Sequence, residues 1–196
     1  MLPISTRGVR MIKTWFGWLA GIDDEKVDRR KDVKPAAFEV GKKDLDPLTG
    51  ALRWDRFMTM LNVEQVQAPG VLLLIDLSSR TPVEGAVSER VENLPWLAQS
   101  IRQAIRSDDL LAHVADYRFA VLLRGASQHL GEVISSRILE SVDKTILMNA
   151  KDNAEFEMSI GGVRFDSGVG GDVVAWATAN LDRARLSGKG KAAIIE

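Results

Sequence analysis

From Val71 onward the chain alternates strand-sized apolar runs with stretches of helical periodicity. Val71 to Ile75 is unbroken apolar sequence closed by Asp76, the pattern of a buried strand. Leu94, Leu97, Ala98, Ile101, Ala104 and Ile105 then recur at the spacing of one helix face. Leu110 to Val114 and Phe119 to Leu123 are separated only by Ala115-Asp116-Tyr117-Arg118, which predicts a β-hairpin. A second helix is predicted over about Leu130 to Val142 and a half-buried strand over Phe156 to Val163. The last helix should start after Asp172, stop at Gly188 and turn Val174, Ala177, Leu181 and Ala184 inward. Lys191 to Ile195 reads as a closing edge strand, and Trp54, Trp96 and Trp176 as core aromatics.

The order from Val71 to Val163 is β-α-β-β-α-β, the split βαβ of ferredoxin-like sheets, with both helices expected on one face. The fold class is α+β around one mixed sheet. Such a core hosts many functions, so topology alone names none.

The pattern changes near residue 45, and so does the charge. Residues 1–45 hold ten basic and seven acidic side chains, leaving sixteen and twenty for 46–196: the head is +3 and the body −4. Two domains follow, an N-terminal helical and charged extension (1–45) and a body (46–196). In the head, Val9, Ile12, Phe16 and Leu19 make the stripe of a short amphipathic helix widened by Trp15 and Trp18, with Arg10 and Lys13 off the stripe. It reads as packing on the body or on a second copy; a partner-binding or membrane-surface role is the alternative. Asp23 to Lys34 is almost wholly charged with both signs mixed, a solvated helix or linker.

Composition excludes more than it selects. The net charge of −1 gives no basic field to draw DNA or anionic lipid. No stretch approaches the roughly 18 apolar residues of a membrane span, and no small-residue cleavage site follows the N-terminal apolar run. With no Cys, disulfides, thiol nucleophiles and thiolate metal sites have no material, and two His leave little for zinc. A cytoplasmic protein is expected. His113 reads as a partly exposed strand-end residue, and neither it nor His129 has a nucleophile motif beside it. The glycines at 161–162 and 168–171 form no phosphate-binding fingerprint.

Four landmarks nevertheless stand in register: Asp46-Pro-Leu-Thr-Gly50, Ile75-Asp76 at the end of the first strand, Ser159-Ile-Gly161 in the late strand, and Ala184-Arg-Leu-Ser-Gly188 near the end. Together they resemble the GGDEF family, the diguanylate cyclases that join two GTP molecules into cyclic di-GMP. The resemblance runs from about residue 46 to the C-terminus and implies a nucleotidyl cyclase palm-like core, with Asp76 at the family's first metal-binding aspartate. The signature hairpin departs from it. In place of GGDEF stands Ala115-Asp116-Tyr117-Arg118-Phe119, and only the Phe survives. Ala115 adds bulk where a glycine lets the ligand approach. Asp116 brings a carboxylate toward a phosphate site. Tyr117 replaces an acidic metal ligand with a neutral phenol, and Arg118 reverses the charge of a glutamate. Leu77 to Glu84 likewise lacks the family's second aspartate and its guanine-reading residues. One carboxylate holds Mg²⁺ poorly, so phosphoryl transfer loses its electrostatic stabiliser. The resemblance therefore implies a degenerate domain: not an enzyme, and with neither metal nor cofactor.

Arg106-Ser-Asp-Asp109 is an RxxD at the family's inhibitory site, five residues before the signature, where cyclic di-GMP binds. The chemistry suits that ligand: Arg offers a planar fork to phosphate oxygens or a guanine edge, and Asp accepts from guanine N1 and N2. Capping of a helix end is the plainer alternative. Arg137, at a place where the family commonly uses an Arg as a secondary contact from a neighbouring subunit, completes the set Arg106, Asp109 and Arg137. Lys189 and Lys191 resemble phosphate-touching positions but read here as solvating the edge strand. The expected function is a non-catalytic cyclic di-GMP receptor that signals to a protein partner, with a ligand-linked homodimer as a corollary. A ligand-free scaffold and a weakly active cyclase are the alternatives.

Overall fold

The computed structural model describes residues 38–79, 87–149, 156–168, 172–187 and 191–195. The helix predicted in the extension, the charged stretch after it, residues 80–84 and Lys189 lie outside the described residues.

The elements, in chain order, are β1 (Leu52–Arg53), α1 (Trp54–Gln67), β2 (Gly70–Ser79), α2 (Val87–Ala104), β3 (Leu110–Ala115), β4 (Arg118–Arg124), α3 (Gln128–Asn149), β5 (Phe156–Phe165), α4 (Val173–Leu186) and β6 (Lys191–Ile195). They form one six-stranded mixed sheet in the order β1-β3-β4-β2-β5-β6. The central strand β2 runs antiparallel to both neighbours, with Asp76 opposite Arg118 on one side and Ser159 on the other. β6 joins the far edge parallel to β5, and β1 joins the near edge parallel to β3. The predicted α+β class, the hairpin and the closing edge strand are all present.

Strand alternation splits the core into two layers. Val71, Leu73 and Ile75 of β2 with Phe119, Val121 and Leu123 of β4 face α2 and α3, so the two helices of the split βαβ share one side as expected. Leu72 and Leu74 with Ala120 and Leu122 face α1 and α4. Phe38 and Leu45, assigned by sequence to the extension, pack on this second layer.

Two expectations are corrected. Trp96 and Trp176 are 56% and 47% exposed rather than core aromatics. Each lies on the outer side of its helix, where Leu97 and Ala98, and Ala177, take the buried positions; Trp54 does pack on the second layer, stacked at 5.5 Å on Phe57. At the start of α4 Val174 packs partly buried on the second layer as expected, and Val173 beside it is fully buried. The helix α1 carries no prediction at all, because its inward stripe Phe57, Met60, Leu61, Glu64 ends on a charge.

Gly161, in the Ser-Ile-Gly segment of β5, fixes the distance of α4 from the sheet. A Cβ there would collide with the backbone of Leu181 and come within 2.5 Å of the Ala177 carbonyl oxygen. Only a residue without Cβ lets this helix lie so close.

Candidate functional site

The two ends of β2 carry the two candidate sites. Asp76 lies six residues along from Gly70, roughly 20 Å at the rise of a strand. The Arg106–Asp109 turn joins the sheet at the Gly70 end, where Arg124 pairs with Gly70.

At the Asp76 end, register delivers the chemistry. Arg118 stands directly opposite Asp76 on β4, and its Nε donates to Asp76 Oδ1 at 3.0 Å. Arg185 Nη2, from the last turn of α4, reaches Asp76 Oδ2 at 2.6 Å. Its Nη1 donates to Asp182 Oδ1 at 3.1 Å. The carboxylate is therefore largely enclosed, 15% exposed, with one guanidinium on each oxygen. Arg185 is the participant that sequence reasoning missed. It stands at the Lys position of the AK-x-x-G-like segment, and its signal was a cation facing the end of the first strand.

The donors around Asp76 do not fit Mg²⁺. A divalent ion needs several oxygen ligands, and here each oxygen of the one carboxylate already holds a cation while the neighbouring ligand position carries the phenol of Tyr117. Among the described residues no three His, Asp or Glu side chains gather to hold a metal ion.

The hairpin closes without glycine at its turn. Asp116 takes φ +46°, the left-handed region that Asp tolerates better than most residues with a Cβ. Its carbonyl oxygen lies 2.9 Å from His113 Nε2. Ala115 pairs with Arg118 across a bulge, and both Ala115 and Asp116 are exposed. Tyr117 is half-buried against the first core layer, and its carbonyl accepts the Leu77 N–H at 3.3 Å.

His113 is partly exposed near the end of β3 as expected, with 16% of its side chain open, and it links two turns. Its Nδ1 lies 3.6 Å from Asp46 Oδ2. The Asp46 carboxylate also accepts from the Thr49 N–H at 2.8 Å and the Thr49 hydroxyl at 2.7 Å. Burial alone would raise the Asp46 carboxyl, but the two Thr49 bonds and the facing His113 outweigh it and hold the group below its ordinary value. The Asp46-Pro-Leu-Thr-Gly50 segment is thus a self-capped turn closed by Gly50 at φ +66°.

At the other end, the Arg106–Asp109 turn closes on itself. The Asp109 N–H donates to the Arg106 carbonyl at 3.2 Å, and Asp109 Oδ2 accepts the Arg106 N–H at 3.1 Å. Asp109 Oδ1 accepts the N–H of Arg124, at the end of β4, at 3.1 Å. The carboxylate expected to face a ligand is thus turned inward and 1% exposed, because two backbone donors at the strand ends take it as acceptor. Burial pushes the Arg102 guanidinium below its usual value, and the Asp109 charge opposes that. Arg106 is half-buried.

Arg137 is brought to the same end. α2 and α3 run antiparallel, since they follow the mutually antiparallel strands β2 and β4, and the Ser141 hydroxyl donates to the Ser100 carbonyl at 3.1 Å. One turn before Ser141 on α3 matches one turn after Ser100 on α2, so Arg137 stands level with Ala104, just before Arg106. It too is half-buried. Arg106 thus stands just beyond the end of α2, and Arg137 stands midway along α3 at the level of that end.

Comparison with known proteins gives consistent results. The family model described as diguanylate cyclase, GGDEF domain, matches residues 89–191. No curated protein matches the chain. Among solved structures, the GGDEF domain of FimX from Pseudomonas aeruginosa superposes with a TM-score of 0.64 at 22% identity, over 78% of this chain and 99% of that one. The diguanylate cyclase SiaD of the same organism, in complex with its activator SiaC, gives 0.67 at 18% identity over 94% of this chain and 69% of that one. The GGDEF domain of DgcB from Caulobacter crescentus, in complex with c-di-GMP, gives 0.63 at 13% identity over 80% and 98%. At these identities the likeness establishes the fold.

Proposed function

The chain belongs to the GGDEF family, and from that premise we propose that it is a non-catalytic member that receives cyclic di-GMP at the Arg106–Asp109 turn and passes the bound state to a protein partner. The observation that carries the loss of catalysis is the pairing of Asp76 with Arg118 and Arg185. Two guanidinium groups hold the carboxylate that a cyclase would give to its metal, and among the described residues no cluster of acidic or His side chains stands ready to hold a metal in its place.

What supports reception of the dinucleotide lies at the opposite end. Arg106 and Arg137 are both half-buried, and a guanidinium fork matches phosphate oxygens and the guanine Hoogsteen edge. Each charge-assisted bond contributes about 1.5–3 kcal/mol before ordering costs. Asp109 sets the conformation of the turn that presents Arg106. A bound dinucleotide, with two phosphates, suits a ligand-linked homodimer in which one copy supplies Arg106 and the other Arg137. That SiaD is held by an activator supports a protein partner on this fold. Among the described residues no helix is long and apolar enough to cross a membrane.

The ligand-free scaffold is favoured by one observation, the engagement of both Asp109 oxygens by backbone donors. Calorimetric titration separates the two. Cyclic di-GMP should give heat with the wild type and none with Arg106→Ala; a silent wild type ends the receptor reading. GTP with Mg²⁺ should give no product, and turnover that vanishes on Asp76→Ala would overturn the loss of catalysis.

A further inference from the structure

We infer that Asp109 is a positioning residue that ties the Arg106 turn to the opposite side of the sheet, so that occupancy of Arg106 is linked to the seating of Phe38, where the N-terminal extension meets the body. The regulatory half of this inference rests on the receptor reading; the mechanical half does not.

The connection runs through Arg124. Its backbone N–H is held by Asp109 Oδ1, on the side of the sheet where α2 ends. Strand alternation then sends the Arg124 side chain to the other face, with Ala120 and Leu122. There Arg124 Nη2 meets Glu64 Oε1 of α1 at 2.8 Å, with both side chains under a tenth exposed. The guanidinium also lies over the Phe38 ring, 5.7 Å from its centre, a cation–π contact. The next residue is fastened to the same helix, since Arg56 Nη2 donates to the Glu39 carbonyl at 2.8 Å. One residue thus has its amide in the Arg106 turn and its charge beneath Phe38.

Buried ion pairs make such a tie stiff. Displacing one partner leaves an uncompensated charge, so the Arg124–Glu64 pair moves as a unit rather than yielding gradually. A ligand that draws Arg106 outward pulls on Asp109 Oδ2, and Oδ1 carries that displacement to the Arg124 amide. Linkage is reciprocal: whatever reseats Phe38 must alter affinity at Arg106 by the same factor.

The chain contains no Cys, so Val40→Cys, at an exposed position two residues past Phe38, can carry a single environment-sensitive fluorophore on the full-length protein. Without ligand, Asp109→Asn in this background should shift the label's emission while circular dichroism remains native. An unchanged label in a folded variant overturns the tie. Should Asp109→Asn fail to fold, Glu64→Gln approaches from the other end and should speed amide exchange at Arg106 and Arg124; unchanged exchange is equally fatal. With cyclic di-GMP added, Glu64→Gln should change the affinity of the folded protein about fivefold or more. A merely structural role would lower stability and leave affinity alone. If the wild type gives no heat with the dinucleotide but Asp109→Asn still moves the label, the tie stands and the receptor reading falls. If the dinucleotide binds and the label stays silent in Asp109→Asn, the reverse holds.

Discussion

Replacing Asp76 by Asn removes one negative charge and almost no volume, and its effect depends on what the carboxylate faces. In a metal site that lacks its ion, neutralising a carboxylate relieves repulsion and the protein gains stability. In this chain the carboxylate lies between Arg118 and Arg185, at 3.0 and 2.6 Å, so neutralising it leaves two guanidinium groups without their shared anion. Exposed ion pairs contribute about 0.2–1 kcal/mol each, whereas breaking a buried pair costs about 3–5 kcal/mol. Asp76 is 15% exposed but its partners are 40% and 37% exposed, so solvent screens much of the attraction. Two discounted pairs give a loss of about 2 kcal/mol. For a chain of this size that lowers Tm by about 4–8 °C. The assay is thermal unfolding of wild type and Asp76→Asn by circular dichroism, with chelator and with millimolar magnesium. The wild type should melt at the same temperature in both, with the variant below it in both. A variant as stable as the wild type, or a magnesium-dependent rise that Asp76→Asn abolishes, would refute the reasoning.

Gly161→Ala should cost more than about 3 kcal/mol, beyond the usual range for overpacking, because the new methyl group meets helix backbone rather than a side chain able to turn aside; urea unfolding measures it. Asp116→Gly should be neutral or stabilise by up to about 1 kcal/mol, while Asp116→Ala should destabilise by a similar amount, since φ +46° suits glycine and strains alanine. The Asp46 carboxyl is depressed in the folded protein, so its contribution to stability is complete above the unfolded value, about 3.9, and is lost as pH falls through the lower folded value. Asp46→Asn should therefore destabilise at neutral pH and flatten the acid end of the stability profile in a titration of Tm against pH.

The sheet was readable because β2, β3, β4 and β5 are apolar runs whose sequence order leaves few topologies open. Helix α1 was not, since Glu64 occupies a core-facing position and is met there by the arginine at the end of β4, sixty residues away. Trp96 and Trp176 were misread because a large aromatic on a helix says nothing of which side the sheet takes. Of the candidate sites, the altered signature was visible letter by letter, but the placing of Arg118 opposite Asp76 was not, because it depends on the register of β4 against β2 rather than on the hairpin. The inward turn of the Asp109 carboxylate depends on the Arg124 amide, and no side-chain pattern announces a backbone donor.

A guanidinium carried on the chain differs from a dissolved ion in having no concentration. A site that borrows its cation from solution is empty or filled according to supply, and anything that depletes the ion changes its state. Arg118 and Arg185 are present in every copy in fixed proportion, at every level of divalent ion. On the proposed reading, that end of β2 carries its counter-charge covalently, and its pairing does not depend on the supply of a dissolved divalent ion.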